Sequence, residues 1–138
     1  MISVRKQEVV KLENVLHLYQ AVGWTNYTHQ PQMLEKSLSH SLAIYLAHDG
    51  DSVVGLVRLV GDGFSSIFVQ DLLVLPSYQR QGIGSNLMKE ALGDFKDAYQ
   101  VQLVTEQTEK TLGFYRSLGF ETLSTYDCTG MIWVERKK

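Results

Sequence analysis

One cysteine, Cys128, stands alone in the chain, which excludes an internal disulfide. No activating base lies near it in sequence, so a structural or incidental thiol is expected. The four histidines, His17, His29, His40 and His48, are scattered without ligand-like spacing, and no metal site is expected. A charge excess of the kind nucleic acid requires is also missing. Thirteen basic and fifteen acidic residues leave a formal net charge of -2, whereas nucleic-acid-binding faces are basic. No apolar run approaches the ~20 residues that span a bilayer, and the first residues lack a secretory apolar segment. These absences predict a cytoplasmic protein with neither a nucleic-acid nor a membrane partner. The Asn26-Tyr27-Thr28 sequon is incidental in that setting.

What is present fits one globular domain over residues 1–138, with 44% apolar and 20% charged residues. Ile2 to Arg5 reads as a short strand. Leu12, Val15, Leu16, Tyr19 and Val22 form a helical stripe that Gly23 can stop. Trp24 to Gln30 has no period and reads as a loop, and a second helix starts after Pro31. Leu42 to Ala47 and Val53 to Val60 are β-rich runs, with Asp49-Gly50 as a hairpin signal between them. A third strand runs from Ile67 to Leu75, ended by Pro76, one of only two prolines. A helix over Ile83 to Phe95, a strand over Val101 to Thr105 and a helix capped by Thr108 and ended by Gly119 follow. Strands around Glu121 to Tyr126 and Met131 to Glu135 complete the reading. The order βααβββαβαββ is α+β, with a mostly antiparallel sheet and one parallel pair.

Chemistry concentrates where the third strand meets the following helix, at Gln79-Arg80-Gln81-Gly82-Ile83-Gly84. A helix start offers unpaired N–H groups and the positive end of a dipole, so it suits a phosphate. Gly82 and Gly84 let the backbone approach an anion closely, and Arg80 adds positive charge. A Rossmann fingerprint would need a third glycine where Leu87 stands, and a Walker A loop would need Gly-Lys-Ser/Thr, which is absent. The residues alone leave two readings: a pyrophosphate cradle, or a turn whose glycines serve geometry only.

Gln79-x-x-Gly82-x-Gly84 after Leu72-Leu73-Val74-Leu75-Pro76 resembles the acetyl-coenzyme A signature of the GNAT family of N-acetyltransferases. Gly113-Phe114-Tyr115-Arg116-Ser117-Leu118-Gly119-Phe120 is similar to that family's Phe-Tyr-x-x-Leu-Gly-Phe ending. The resemblance spans nearly the whole chain. It implies the same element order, with the strands at Ile67–Leu75 and Val101–Thr105 splaying to admit a pantetheine arm. It also implies acetyl-CoA as co-substrate and an amine acceptor, with no metal. Dimers are frequent in the family, so a homodimer is among the expected states.

By that resemblance the backbone of Leu72, Leu73 and Val74 pairs with the pantetheine amides. The turn of Arg80, Gln81, Gly82, Ile83, Gly84 and Ser85 holds the pyrophosphate. Tyr115 stands where the family commonly carries a tyrosine near the coenzyme sulfur, and a phenol with a pKa of about 10 can protonate a thiolate at neutral pH. From the residue pattern alone Tyr115 reads as a helix-face aromatic packing on the sheet, and the motif context reverses that preference. Asp71 interrupts an apolar strand, where an unpaired carboxylate is costly. It either handles the acceptor amine or is paired structurally with Arg58. Glu106 is the reserve candidate. Trp24 and Tyr27 either flank an apolar or cationic acceptor or form the edge of the core. Two departures from the family pattern stand out: Thr108 replaces an expected asparagine, and Val101-Gln102-Leu103-Val104-Thr105 lacks the acidic residue some relatives carry. A module that binds acyl-CoA without turnover is the alternative reading.

Overall fold

The computed structural model describes residues 1–134. Its elements are β1 (Ile2–Gln7), α1 (Leu12–Ala21), α2 (Thr25–Thr28), α3 (Pro31–Ser39), β2 (Ala43–Asp49), β3 (Ser52–Gly61), β4 (Ile67–Val74), α4 (Ile83–Asp94), β5 (Val101–Leu103) and α5 (Glu109–Ser117). Short 3-10 turns lie at Pro76–Tyr78 and Leu123–Tyr126. The chain groups into two compact units, Met1–Leu103 and the segment from Val104 onward. The sequence carries no linker signal at that boundary.

The first unit holds one sheet in the order β1-β2-β3-β4-β5. The first three pairings are antiparallel, and β4 pairs with β5 in parallel. This is the α+β architecture the sequence predicts. Gly50 turns the β2–β3 hairpin with φ +61°, a value that suits the first loop position of a tight primed turn.

Apolar periodicity sets both faces of this sheet. On one face Val15, Leu18 and Tyr19 of α1 and Leu34 and Leu38 of α3 bury against Ile44, Leu46, Leu56 and Leu73. Each large apolar side chain so buried is worth roughly 1.5–3 kcal/mol. Gly55, next to Leu56 along β3, faces the other way, towards α4. A Cβ there would sit 3.1 Å from both the Leu73 carbonyl oxygen and Leu87 Cδ1. Ile83, Leu87, Met88 and Ala91 are the buried stripe of α4.

Between Arg58 and Leu59 the β3–β4 register shifts: Arg58 opposes Asp71, while Leu59 opposes Val69. Gln70 is the extra residue of a bulge in β4. Paired residues share a face, so Asp71 lies with Leu73 on the α1 face while Val69 lies opposite.

Four expectations are corrected. Trp24 to Gln30 is not all loop, because Tyr27 and Thr28 both donate to the Trp24 carbonyl and close the helical turn α2. The strand at Val101 ends at Leu103 rather than Thr105. No strand forms at 121–126, where the Thr122 carbonyl accepts from Thr125 N–H and the Thr122 and Ser124 hydroxyls bond at 3.0 Å. Such local bonds compete with a ladder. Met131–Val134 likewise forms no ladder; Glu135, the end of that expected strand, lies outside the described residues.

Candidate active site

The glycine turn is built from the end of β4 outward. Leu75 N–H donates to the Val54 carbonyl at 2.9 Å and holds the strand end in place. Pro76 then opens the 3-10 turn, whose Tyr78 hydroxyl donates to Asp49 Oδ2 at 2.7 Å. Gln79 Nε2 reaches back to the Val74 carbonyl at 3.1 Å. Arg80, with φ +65°, and Gly82, with φ +80°, both adopt the left-handed conformation. For arginine that conformation costs energy, which concentrates at functional turns.

Gly82 is the N-cap of α4, and no side chain caps this helix. The first α-helical bond of α4 runs from Asn86 N–H to the Gly82 carbonyl at 3.0 Å. The N–H groups of Ile83, Gly84 and Ser85 are therefore the first-turn donors, directed out of the helix end. Arg80, Gln81 and Gly82 are exposed, while Gly84 and Ser85 are half-buried. Uncapped amides, a helix dipole and a mobile guanidinium together can hold an anionic diphosphate.

Beside this turn one edge of β4 lacks a pairing strand among the described residues, although Gln79 occupies its Val74 carbonyl. Its parallel ladder with β5 covers only Ile67 to Val69, whereas its pairing with β3 continues to Val74. Among the described residues, no strand pairs with the β5-facing edge of Leu72, Leu73 and Val74. The parallel ladder ends at Val69 and Leu103. Leu73 is buried, and Leu72 and Val74 are half-buried, so what these residues offer a ligand is backbone. An extended amide-bearing chain can add to such an edge as a strand would.

Asp71 is 2% exposed and sits in a polar cluster. Its Oδ2 accepts from Arg58 Nε at 2.8 Å and from the Tyr19 hydroxyl at 2.8 Å. Its Oδ1 accepts from the Tyr27 hydroxyl at 2.9 Å. Arg58 further donates to the Tyr27 hydroxyl at 3.2 Å and to Ser41 Oγ at 3.2 Å. The pairing with Arg58 is thus the reading the geometry bears out. Three of the carboxylate's roughly four acceptor sites are taken by these donors, and burial keeps the remaining one from solvent. Burial, then the Asp71 charge, raises the pKa of both Tyr19 and Tyr27. Burial opposes the Arg58 charge, but Asp71 outweighs it and holds the guanidinium's pKa up.

Tyr27 is buried, 8% exposed, so its ring belongs to the core rather than to an open acceptor surface. Helix α2 turns it inward, and its hydroxyl also accepts from Gln70 Nε2 at 3.4 Å. Trp24 is half-buried and stacks on Tyr27 with centroids 6.2 Å apart. Tyr19 and Gln70 were not singled out from sequence. Tyr19 occupies an ordinary helical-stripe position, and its bond to Asp71 spans 52 residues. The bulge could have pointed to Gln70.

The second unit carries Tyr115 on α5, which Thr108 caps through a hydrogen bond from Thr111 N–H at 3.2 Å. The Tyr115 ring packs edge-on against Phe114 and Phe120. Burial raises its pKa, against a smaller lowering by a hydrogen bond with Thr105. The phenol is protonated at neutral pH. Glu106 is exposed. Among the described residues no cluster of three or more His, Cys, Asp or Glu is placed to hold a metal ion. Among the described residues no helix is long and apolar enough to cross a membrane.

A family model described as Acetyltransferase (GNAT) domain matches residues 40–122. The chain is 78% identical to a GNAT-family acetyltransferase from Streptococcus pneumoniae TIGR4, with a TM-score of 0.92 and 99% of each chain covered. It is 30% identical over 95 residues to serotonin N-acetyltransferase 2 of Oryza sativa subsp. japonica; that match covers 66% of this chain and 48% of the rice protein. The fold also matches AAC(6')-Iy in complex with the bisubstrate analog CoA-S-monomethyl-acetylneamine, at a TM-score of 0.70, 18% identity and 96% coverage of each chain.

Proposed function

Because this chain belongs to the GNAT acetyltransferase family, we propose that it moves an acetyl group from acetyl-CoA to a primary amine of a small molecule or peptide. Transfer is direct, within a ternary complex. One observation carries the reading: an uncapped helix start with left-handed Arg80 and Gly82 directly follows a strand that, among the described residues, has no pairing strand on one edge from Leu72 to Val74. The first feature suits a diphosphate and the second an amide-bearing arm, and both features belong to coenzyme A.

When bound, the coenzyme supplies an acetyl thioester. The amides of residues 80 to 85 grip the diphosphate, with Arg80 and the Ser85 hydroxyl assisting. The backbone of Leu72, Leu73 and Val74 aligns the arm, and an N–H of this stretch donates to the thioester oxygen. Tyr115 gives its proton to the departing sulfur, and the proton lost by the attacking amine restores the phenol through solvent. Asp71 acts as a positioning residue. It fixes Tyr27 and, through the Tyr27 hydroxyl, the bulge residue Gln70. Trp24 is the ring of this cluster that offers an acceptor its face.

The test is thiol release from acetyl-CoA across a panel of amines. Release that needs both acetyl-CoA and an amine, with matching acetyl-amine product, supports the enzyme. Saturable coenzyme binding without release for any amine would favour the non-catalytic sensor instead.

A further inference from the structure

Between β3 and β4 the loop presents Phe64 with 82% of its surface exposed, yet its backbone is held from both sides. The Asp62 carboxylate accepts from the N–H groups of Phe64 at 2.7 Å, Ser65 at 2.8 Å and Ser66 at 3.1 Å. The Phe64 carbonyl accepts from Tyr99 N–H at 2.8 Å. Phe64 borders an open cleft of about 500 Å³ whose apolar lining includes Leu42, Phe95 and Ala98, all half-buried. Tyr99, the backbone partner of the loop, is 83% exposed. Exposed apolar surface gathered in one place marks a contact surface. Rings carried on a fixed backbone also lose little freedom when a partner covers them.

The charges around this cleft have one sign. Asp62, Asp94 and Asp97 line it, and Lys96, between the last two in sequence, does not. Helix α4 ends at Asp94 with no basic residue in its last turn, so the negative end of its dipole adds to the carboxylates. Asp62 spends its oxygens on the loop. Asp94 gives Oδ2 to the Tyr45 hydroxyl at 2.6 Å and leaves Oδ1 for another donor, and Asp97 is exposed. The Lys6 ammonium lies 6.0 Å from the Phe95 ring centroid, so this ring is already within reach of a cation.

An apolar lining with an acidic rim fits an occupant that is both apolar and basic. Arginine meets both demands, because its guanidinium pairs with carboxylates and stacks on aromatic rings. Tyr99 lies outside the lining, so an occupant that covers it together with the cleft is longer than the cleft, as a peptide segment is. We propose that this surface docks a segment of another protein in which arginine is joined to large apolar side chains. Complementary charge speeds such an encounter and rejects acidic partners. The dock lies away from the glycine turn: α4 begins at that turn and reaches the cleft twelve residues later, roughly 18 Å along its axis.

The test uses the full chain as target for a displayed library of random peptides, with the double variant Phe64→Ser, Asp97→Lys as counter-target. Enriched peptides should join arginine to aromatic or aliphatic residues. One of them, amino-terminally acetylated and free of lysine, is then titrated into the protein and followed by amide NMR shifts. The shifts should centre on residues 62–64 and 94–99, and affinity should fall with added salt. Phe64→Ser and Asp97→Lys should each weaken binding about tenfold, with unchanged circular dichroism. Enrichment of acidic or uncharged peptides, or no enrichment, overturns the proposal. So does unchanged affinity in either variant, and so do shifts centred on Trp24 or the glycine turn, which would make the peptide an acceptor. Self-association of the protein that Phe64→Ser abolishes gives the face to a second copy and likewise overturns it. None of these readouts depends on acetyl transfer.

Discussion

Arg58 and Asp71 face each other in register across β3 and β4, with Nε and Oδ2 2.8 Å apart and both side chains almost wholly excluded from solvent. The β4 bulge makes the pair. Were Gln70 paired regularly in the ladder instead of bulged, strict alternation would put Asp71 on the face Val69 occupies.

Asp71→Asn leaves the Arg58 charge buried without a counter-charge. Removing one partner of a buried pair costs about 3–5 kcal/mol, and urea unfolding at neutral pH should show a loss of that order. The double change Arg58→Met with Asp71→Leu should recover part of it. A single-mutant loss below about 1 kcal/mol would mean that the pair is not what holds these strands in register.

Tyr19→Phe and Tyr27→Phe each remove one donor to Asp71, and each should lower stability by about 1–3 kcal/mol. Their catalytic effects should differ. Tyr27 also receives Gln70, so Tyr27→Phe should raise the KM for the amine while coenzyme affinity holds. Tyr19→Phe should leave both constants unchanged. Identical kinetic behaviour would take Gln70 out of the acceptor argument.

Alkaline pH should unfold the protein through its buried phenols. Burial, followed by the neighbouring Asp71 or Asp94, raises the pKa of Tyr19, Tyr27 and Tyr45 above the ordinary 10.0. The folded state then holds these protons more tightly than the unfolded state. Their stabilising contribution is whole below about pH 10 and is lost as pH climbs towards the raised folded values. Ultraviolet titration should show exposed tyrosines ionising first and these three only as the fold opens. Their early ionisation in native protein would contradict the burial.

Gly82→Asp should abolish coenzyme binding in calorimetry, since it sets a carboxylate where a diphosphate is to sit. Gly82→Ala adds no clash but forces alanine to φ +80°, and should cost about 1 kcal/mol in stability. Retained affinity in the aspartate variant would move the diphosphate away from this turn.

Tyr115→Phe keeps the ring packing against Phe114 and Phe120 and removes only the acidic proton. Turnover should fall roughly a hundredfold with little change in coenzyme affinity. Unchanged turnover would assign the proton to another group.

The sequence reading was strongest where the determinants are local. Gly23 and Gly119 take the left-handed values that suit helix-stopping glycines, Thr108 caps α5 through its own hydroxyl, and the helix expected from Ile83 buries Ile83, Leu87, Met88 and Ala91. It was weakest where partners are distant in sequence. Nothing in the stripe around Tyr19 marks a hydroxyl committed to a carboxylate on β4. Trp24 to Gln30 looks aperiodic because a single helical turn is too short to show a period. The C-terminal stretches have strand composition without a ladder, and composition cannot say whether an edge is within reach.

Gly55 has a consequence for variation in this protein. The missing side chain fixes how thick the layer between β3 and α4 can be, with Leu87 and the Leu73 carbonyl closing in to the van der Waals limit. A single added methyl would require Leu87 or the Leu73 carbonyl to give by a few tenths of an ångström, on a helix that begins at the glycine turn. A position within the sheet would thereby bear on how the proposed coenzyme turn is held.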